Sequence, residues 1–432
     1  MRRPSDVHEH ARSGAGPVRT RRGMDASADT GGGILAPLRY GNFRALASGR
    51  VLMMFGNGMA TVALAFAVLD VTGSLTQVGL VVGARSIANV ALLLLGGVIA
   101  DRLPRSMVLV GGCALAALSQ GTLALTLLTG TASLPLMIAL SVVNGAAAAA
   151  NLPASAALTP QTVPRALLRQ ANASVGIAKQ LGMFAGMSAG GVAVGLWGPG
   201  WAIGVDALMF AAAGVAFSLL RVPSTGATDG GRNVLRDLVE GWREFVARPW
   251  VWIIVLQFMV VNAGWSAATG VLGPGIADAT FGRTTWGLLM AANSVGLLVG
   301  GVLAARWQPR RALFYGTALV LLQTLPFFVL AGPSPMVPLL FAAMFVGGMA
   351  VEQFSVAWEV SLQENVPTER LSRVYSYDAL GSFVAMPVGQ IAIGPTAEAI
   401  GVDRSLLLVA SLTIIATLAA LCAPSVRSLR RR

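Results

Sequence analysis

The chain has 432 residues, of which 55% are hydrophobic and only 12% charged, with a mean hydropathy of +0.70. Soluble proteins carry about 25% charged residues, so this composition excludes an ordinary water-soluble enzyme or nucleic-acid-binding domain. The net charge of +12 is read instead as loop arginine that fixes a membrane topology.

In chain order, residues 1–40 are Gly- and Arg-rich and lack an apolar h-region. They are expected to form a disordered cytoplasmic tail rather than a signal peptide. Met1 and Met24 are both candidate starts. Apolar runs of about 20 residues, the length that crosses a bilayer, then recur. They fall near 43–69, 76–99, 107–129, 133–157, 171–195 and 200–220, and then near 251–272, 285–305, 311–331, 336–359, 373–396 and 404–423. The chain is therefore expected to be an all-α membrane protein of about twelve transmembrane helices. Residues 41–222 form a first six-helix bundle, 223–249 a cytoplasmic linker, 250–425 a second bundle and 426–432 a basic cytoplasmic tail. In the linker, Leu235, Leu238, Val239, Trp242, Phe245 and Val246 recur at helical spacing, and Arg236–Glu240 and Glu244–Arg248 are i,i+4 pairs. That stretch is expected to be an amphipathic helix lying on the cytoplasmic surface and joining the two halves.

The arginines are distributed unevenly. The even-numbered turns and the C-terminus hold Arg102, Arg105, Arg165, Arg169, Arg306, Arg310, Arg311, Arg370, Arg373 and Arg427, whereas the opposite turns hold only Arg283 and Arg404. By the positive-inside rule both termini are cytoplasmic, in the inner (plasma) membrane.

Two phrases repeat. "GGVIADRLPRSM" begins at Gly96 and "GGVLAARWQPRR" at Gly300, an offset of 204; Val163-Pro164 and Val366-Pro367 repeat at 203. Two anchors with nearly one offset indicate two copies of a six-span unit in the same orientation. Such parallel repeats place a substrate site between the halves and alternate its access by rocking.

Gly97, Asp101, Arg102 and Arg105 resemble the motif A loop of the major facilitator superfamily, G-x-x-x-D-R-x-x-R. "GMFAGMSAGG" resembles motif C of its antiporter branch, with Met187 where the family has proline. "VPRALLRQANA", "WGPGWAIGVDALMF" and "RLSRVYSYDALGSF" resemble the drug/macrolide and enterobactin exporter branch. The resemblance covers about residues 40 to 425. It implies the major facilitator fold, with spans 1, 4, 7 and 10 lining a central cavity, and a gating role for Gly97, Asp101, Arg102 and Arg105. The second copy has Ala305 in place of the acid, so the latch is asymmetric. Gly182, Gly186 and Gly190 form a small-residue face suited to close helix packing, and a sliding or bending interface between the halves is expected there. Where many drug:proton antiporters have an arginine in span 4, this chain has Ser141, which moves coupling to other residues.

Charges at membrane depth are functional candidates by default. Arg85, Lys179 (the chain's one lysine), Asp206, Glu352 and Asp378 qualify. Glu352 is the first candidate for proton coupling, with Asp378 and Asp206 next. Arg85 and Lys179 are candidates to neutralise acids or to hold an anionic substrate group. His8 and His10 are confined to the tail, Cys113 and Cys422 lie in apolar runs, and no Walker A loop or paired-Asp motif occurs. No catalytic residue, metal or cofactor is expected, and no nucleic acid. The reading is a monomeric secondary exporter of a drug, antibiotic or siderophore-like metabolite. It would work by proton antiport among membrane lipids and contribute to antibiotic resistance. An uptake symporter or facilitator of the same fold is the alternative.

Overall fold

The computed structural model describes residues 35–102, 104–221, 242–307 and 309–430. Most of the expected N-terminal tail and linker lies outside these described residues, as do Leu235, Arg236, Leu238, Val239 and Glu240. Within the described residues the chain is helical, without strands.

Twelve long helices follow one another: α1 (Gly41–Thr72), α2 (Leu75–Arg102), α3 (Arg105–Leu128), α4 (Leu134–Thr162), α5 (Leu168–Trp197) and α6 (Pro199–Ser218), then α7 (Pro249–Ala279), α8 (Arg283–Arg306), α9 (Ala312–Leu330), α10 (Val337–Asn365), α11 (Thr368–Phe383 continued by Met386–Ile400) and α12 (Val402–Cys422). Eleven have a window long and apolar enough to cross a membrane. The exception, α5, is 30 residues long. Its opening stretch, "LRQANASVGIAKQ", is too polar for that criterion, and it is sheltered between α1 and α8.

The breaks have local causes. Gly73 adopts φ 65, and its N–H donates to the Leu69 carbonyl (2.8 Å). This left-handed cap ends α1 and leaves only Gly73 and Ser74 before α2. Pro199 and Pro249 occupy first-turn positions of α6 and α7, where the missing N–H has no partner to lose. α7 carries a π-helical stretch at Ala268–Leu272 that faces α1 and α2.

The packing repeats with a shift of six helices. In the first bundle α1 packs on α5 and α6, α2 on α4, and α3 on α4 and α6. In the second, α7 packs on α11 and α12, α8 on α10, and α9 on α10 and α12. The bundles meet chiefly along α5–α8 and α2–α11.

The turns after α1, α3, α5, α7, α9 and α11 share one face of the molecule, here the odd-turn face. Toward it, one apolar core runs through both bundles, from Phe66, Val78 and Ala193 to Val271, Trp286 and Ile393. Toward the opposite, even-turn face the core divides. Leu46, Leu109, Phe210 and Phe217 fill the first bundle, and Ile254, Leu313, Phe354 and Leu362 the second. The two bundles are joined at one end and separately filled at the other.

Candidate functional site

The ionisable side chains at membrane depth fall into distinct groups. Arg85 of α2 donates through Nη2 to Asn57 Oδ1 of α1 (2.9 Å). Asp206 of α6 is 0% exposed; Gln120 Nε2 of α3 donates to its Oδ2 (2.5 Å), while its Oδ1 has no hydrogen-bond partner. Gly56 makes room for this carboxylate, since a Cβ placed there would lie 2.5 Å from Asp206 Oδ1. Arg85 and Asp206 are close enough for their charges to attract. The structure thus brings together two of the sequence candidates, with Asn57 and Gln120 as neutral neighbours. A buried pair of this kind is kept at a desolvation cost that favourable geometry only partly offsets.

A second group is purely cationic. Arg50 of α1 is 4% exposed. It donates through Nη1 to Thr159 Oγ1 of α4 (3.1 Å) and through Nη2 to the Ser155 carbonyl, and its Nε is buried without a partner. Lys179 of α5 is half-buried beside it, near enough for the two charges to repel.

The second bundle holds acids. Trp358 Nε1 donates to Asp378 Oδ2 (3.0 Å) and Ser382 Oγ to Oδ1 (3.2 Å). The Tyr375 hydroxyl donates to Glu359. Glu352 sits on the seam between α10 and α8: a Cβ on Gly300 would be 2.9 Å from its Cβ, and one on Gly301 3.8 Å from its Oε1. Among the described residues Glu352 is half-buried and has no hydrogen bond or ion pair. It lies against the repeat of the motif A glycine, a placement that the expected role of span 10 as a cavity wall does not anticipate.

At the odd-turn face the bundles are clamped. Arg283, at the start of α8, grips Asp70 near the end of α1 with both Nη atoms (3.0 and 2.5 Å), and its Nε donates to Asp278 of α7 (2.6 Å). The guanidinium also lies over the Phe66 ring, 5.1 Å from its centre. Nearby, Ser74 and Thr76 donate to Glu398 of α11 (3.3 and 2.7 Å). Between described residues, the inter-bundle hydrogen bonds and ion pairs lie at this face.

Glycines close the same seam. Gly191 of α5 meets Gly287 of α8 backbone to backbone, and a Cβ on Gly195 would strike Thr284. Gly79 of α2 faces the Gln390 carbonyl of α11. Gly182, Gly186 and Gly190 point elsewhere: a Cβ on them would meet the Val51 carbonyl (2.9 Å), the Phe55 carbonyl and Met59 Cα (2.9 Å) respectively, all on α1. That face binds α5 inside its own bundle, and the inter-bundle contact uses a neighbouring face of the same helix.

The side chains of Gly97, Asp101, Arg102 and Arg105 lie outside the described residues. The backbone there forms the end of α2 and the start of α3. Of the linker, residues 242–246 are helical. Trp242 and Phe245 stack at 5.7 Å, and both rings lie within 6 Å of Tyr377 of α11. Arg248 Nη1 donates to Glu244 Oε2 (2.7 Å), and Arg370 pairs with the other oxygen. These cations, Arg248 first, hold the Glu244 carboxyl below the usual carboxylate range. The linker end is thereby moored to the second bundle.

Sequence reading missed Arg50, Asp70, Arg283 and Glu398 as site residues. Arg50 offered a signal, standing seven residues inside the expected 43–69 span. The others lie at helix ends and acquire meaning only from partners across the bundle gap.

The family model described as Major Facilitator Superfamily matches residues 46–389. The chain belongs to the Major Facilitator Superfamily. It is a multi-pass membrane transporter of small molecules, not an enzyme. Among superfamily relatives, the multidrug efflux pump Tap of Mycolicibacterium fortuitum is 26% identical over 404 residues, covering 91% of this chain and 97% of Tap. The enterobactin exporter EntS of Shigella dysenteriae serotype 1 is 28% identical over 396 residues, covering 86% and 91%. Among solved structures, a bacterial homologue of the lysosomal transporter Spinster, in an inward-facing and unoccupied conformation, superposes with a TM-score of 0.74 at 15% identity, covering 90% and 97%. The nucleoside transporter NupG superposes with a TM-score of 0.71 at 15% identity, covering 88% and 98%. These last two establish likeness of fold.

Proposed function

We propose that this superfamily member is a secondary exporter of a small organic molecule in the plasma membrane, working by alternating access and proton antiport. The observation behind the alternating-access reading is the core that is single at the odd-turn face and divided at the even-turn face. With both termini cytoplasmic, as the arginine asymmetry argues, the clamp of Arg283 and Asp70 is the outer closure. The divided end then faces the cytoplasm and receives cargo. Relatives named for efflux support the outward direction and a drug-like or siderophore-like cargo. Glu352 is the coupling candidate because it is an acid at membrane depth with no hydrogen bond or ion pair among the described residues, so protonation breaks none of those bonds. Asp206 is second, having one unpartnered oxygen. Asp378 is third, because two donors hold its ionised form.

The test is dye accumulation in everted vesicles energised by an imposed pH gradient, acid inside. Accumulation that collapses with a protonophore supports proton-coupled export, whereas gradient-driven depletion supports uptake. Met187, in place of the exporter motif's proline, favours a symporter or facilitator as the second reading.

A further inference from the structure

Among the described residues, the cationic pair on α1 and α5 has no hydrogen-bonded or ion-paired acid. Arg50 is almost fully buried, yet it touches only a hydroxyl and a carbonyl, and its Nε is left bare. Buried charge of this kind ordinarily recruits an anion. A clamp between α1 and α4 would explain Arg50 alone. It does not explain Lys179, which brings a second positive charge to the same place and makes no hydrogen bond or ion pair among the described residues. Two like charges brought together at membrane depth raise the energy of the resting protein unless something negative visits them. Arg85, another cation of this bundle at membrane depth, differs: it has Asn57 as a hydrogen-bond partner and Asp206 as a counter-charge.

The position suits a visitor. Arg50 is nine residues into α1 from Gly41, and Lys179 eleven into α5 from Leu168. At about 1.5 Å per residue both lie roughly 15 Å above the even-turn ends of their helices. Thr159, the Arg50 partner, is three residues before the end of α4. The pair therefore sits in the divided half of the molecule. Of the acids of the opposite bundle, Glu359 and Asp378 are held by neutral donors, and Glu352 has no hydrogen bond or ion pair among the described residues.

We propose that Arg50 and Lys179 form a subsite for an anionic oxygen group, a carboxylate or phosphate, on the transported molecule. This deepens the exporter reading and rests on it for the word "transported"; the binding itself does not. The same chemistry is present on anionic lipid headgroups, and the test separates the two sources.

Carboxyfluorescein and rhodamine 123 are xanthene dyes of similar size and opposite charge, and serve as probes. Their equilibrium binding is measured by fluorescence anisotropy on the full chain in nanodiscs of neutral phosphatidylcholine, with no gradient. The parent should bind carboxyfluorescein more tightly than rhodamine 123, with affinity falling as salt rises. Lys179→Gln should weaken carboxyfluorescein at least tenfold, the scale of one lost charged hydrogen bond. Lys179→Arg should restore it, and Lys179→Glu should invert the preference. Arg50→Gln is the supporting variant, because burial makes it the riskier one to fold. Adding phosphatidylglycerol to the nanodiscs should leave parental affinity within twofold; a Lys179-dependent loss would assign the subsite to lipid and overturn the cargo proposal. A parent with no preference for carboxyfluorescein, or a Lys179→Gln variant within twofold of it, also overturns the proposal. Vesicle transport is scored separately, so dye that binds but is not moved would count against the exporter reading and not against the subsite.

Discussion

Removing Arg283 should unlock the odd-turn face. The side chain spans the gap between bundles, with a two-pronged grip on Asp70 and a ring contact with Phe66, both on α1. The pair is partly open to solvent, 22% for the arginine side chain and 38% for the aspartate. It is therefore credited with only about 1 kcal/mol, the upper end for exposed pairs, on the strength of its bidentate geometry. The contact with Phe66 adds about 0.5 kcal/mol. A total of roughly 1.5 kcal/mol corresponds to about a tenfold change in the closed-to-open ratio at that face. Asp278 supplies an internal control. It also binds Arg283, but it lies in the same bundle, so its loss should leave the ratio nearly unchanged. The assay is electron–electron distance measurement between spin labels at Thr131 and Ser334, both exposed in odd-face turns, after replacing Cys113 and Cys422. Arg283→Gln should move about tenfold more of the population to long distances, Asp70→Asn about fivefold because the Phe66 contact survives, and Asp278→Asn little. Equal shifts for Asp70→Asn and Asp278→Asn, or none for Arg283→Gln, would refute the clamp.

Four further outcomes are expected. Glu352→Gln should abolish accumulation driven by a pH gradient in vesicles while downhill exchange persists; an unaltered response to the gradient would shift the coupling role to Asp206 or Asp378. Asp101→Asn should cut transport sharply at equal membrane expression and Ala305→Asp should not, as measured by dye efflux from cells. Gly186→Val would press a side chain into the Phe55 carbonyl, so a thermal-unfolding assay in detergent should register a loss of about 1–3 kcal/mol, the usual cost of overpacking. Cysteines at Gly130 and Ser334 should label from outside intact cells and one at Gly231 should not; the reverse pattern would overturn the orientation.

The helices were legible because bilayer thickness dictates run length and each run writes itself locally. The Gly73-Ser74 turn, which sequence reading did not single out, has an equally local cause in the left-handed cap at Gly73. The repeat was legible through Gly96 and Gly300, because two copies of one fold keep similar turns. The polar neighbours were not. Arg85 and Asp206 are 121 residues apart in the chain, and only the fold brings α2 to Asn57 and α6 to Gly56, neighbours on α1. Glu352 was placed on the correct helix, but its facing depends on the rotation of α10 against the Gly300 and Gly301 backbone, which no charge pattern encodes. The glycines of α5 were recognised as a packing face, yet which neighbour each would meet depended on register. Residues one position apart, Gly190 and Gly191, serve different partners.

That register gives α5 two kinds of position with different thermodynamic weight. Contacts from Gly182, Gly186 and Gly190 to α1 lie inside one bundle, and a rigid-body rocking of the bundles would carry them along unchanged. A substitution there lowers the energy of no conformer relative to another; it taxes them all alike. Gly191 and Gly195 instead meet α8 across the bundle gap; on the alternating-access reading proposed above, that contact parts when the odd-turn face opens, so bulk added there would bias the cycle. One helix thus carries a stability stripe and a tuning stripe side by side. On that reading, a single methyl group at Gly191 or Gly195 would change how long each orientation lasts without loosening the contact of α5 with α1.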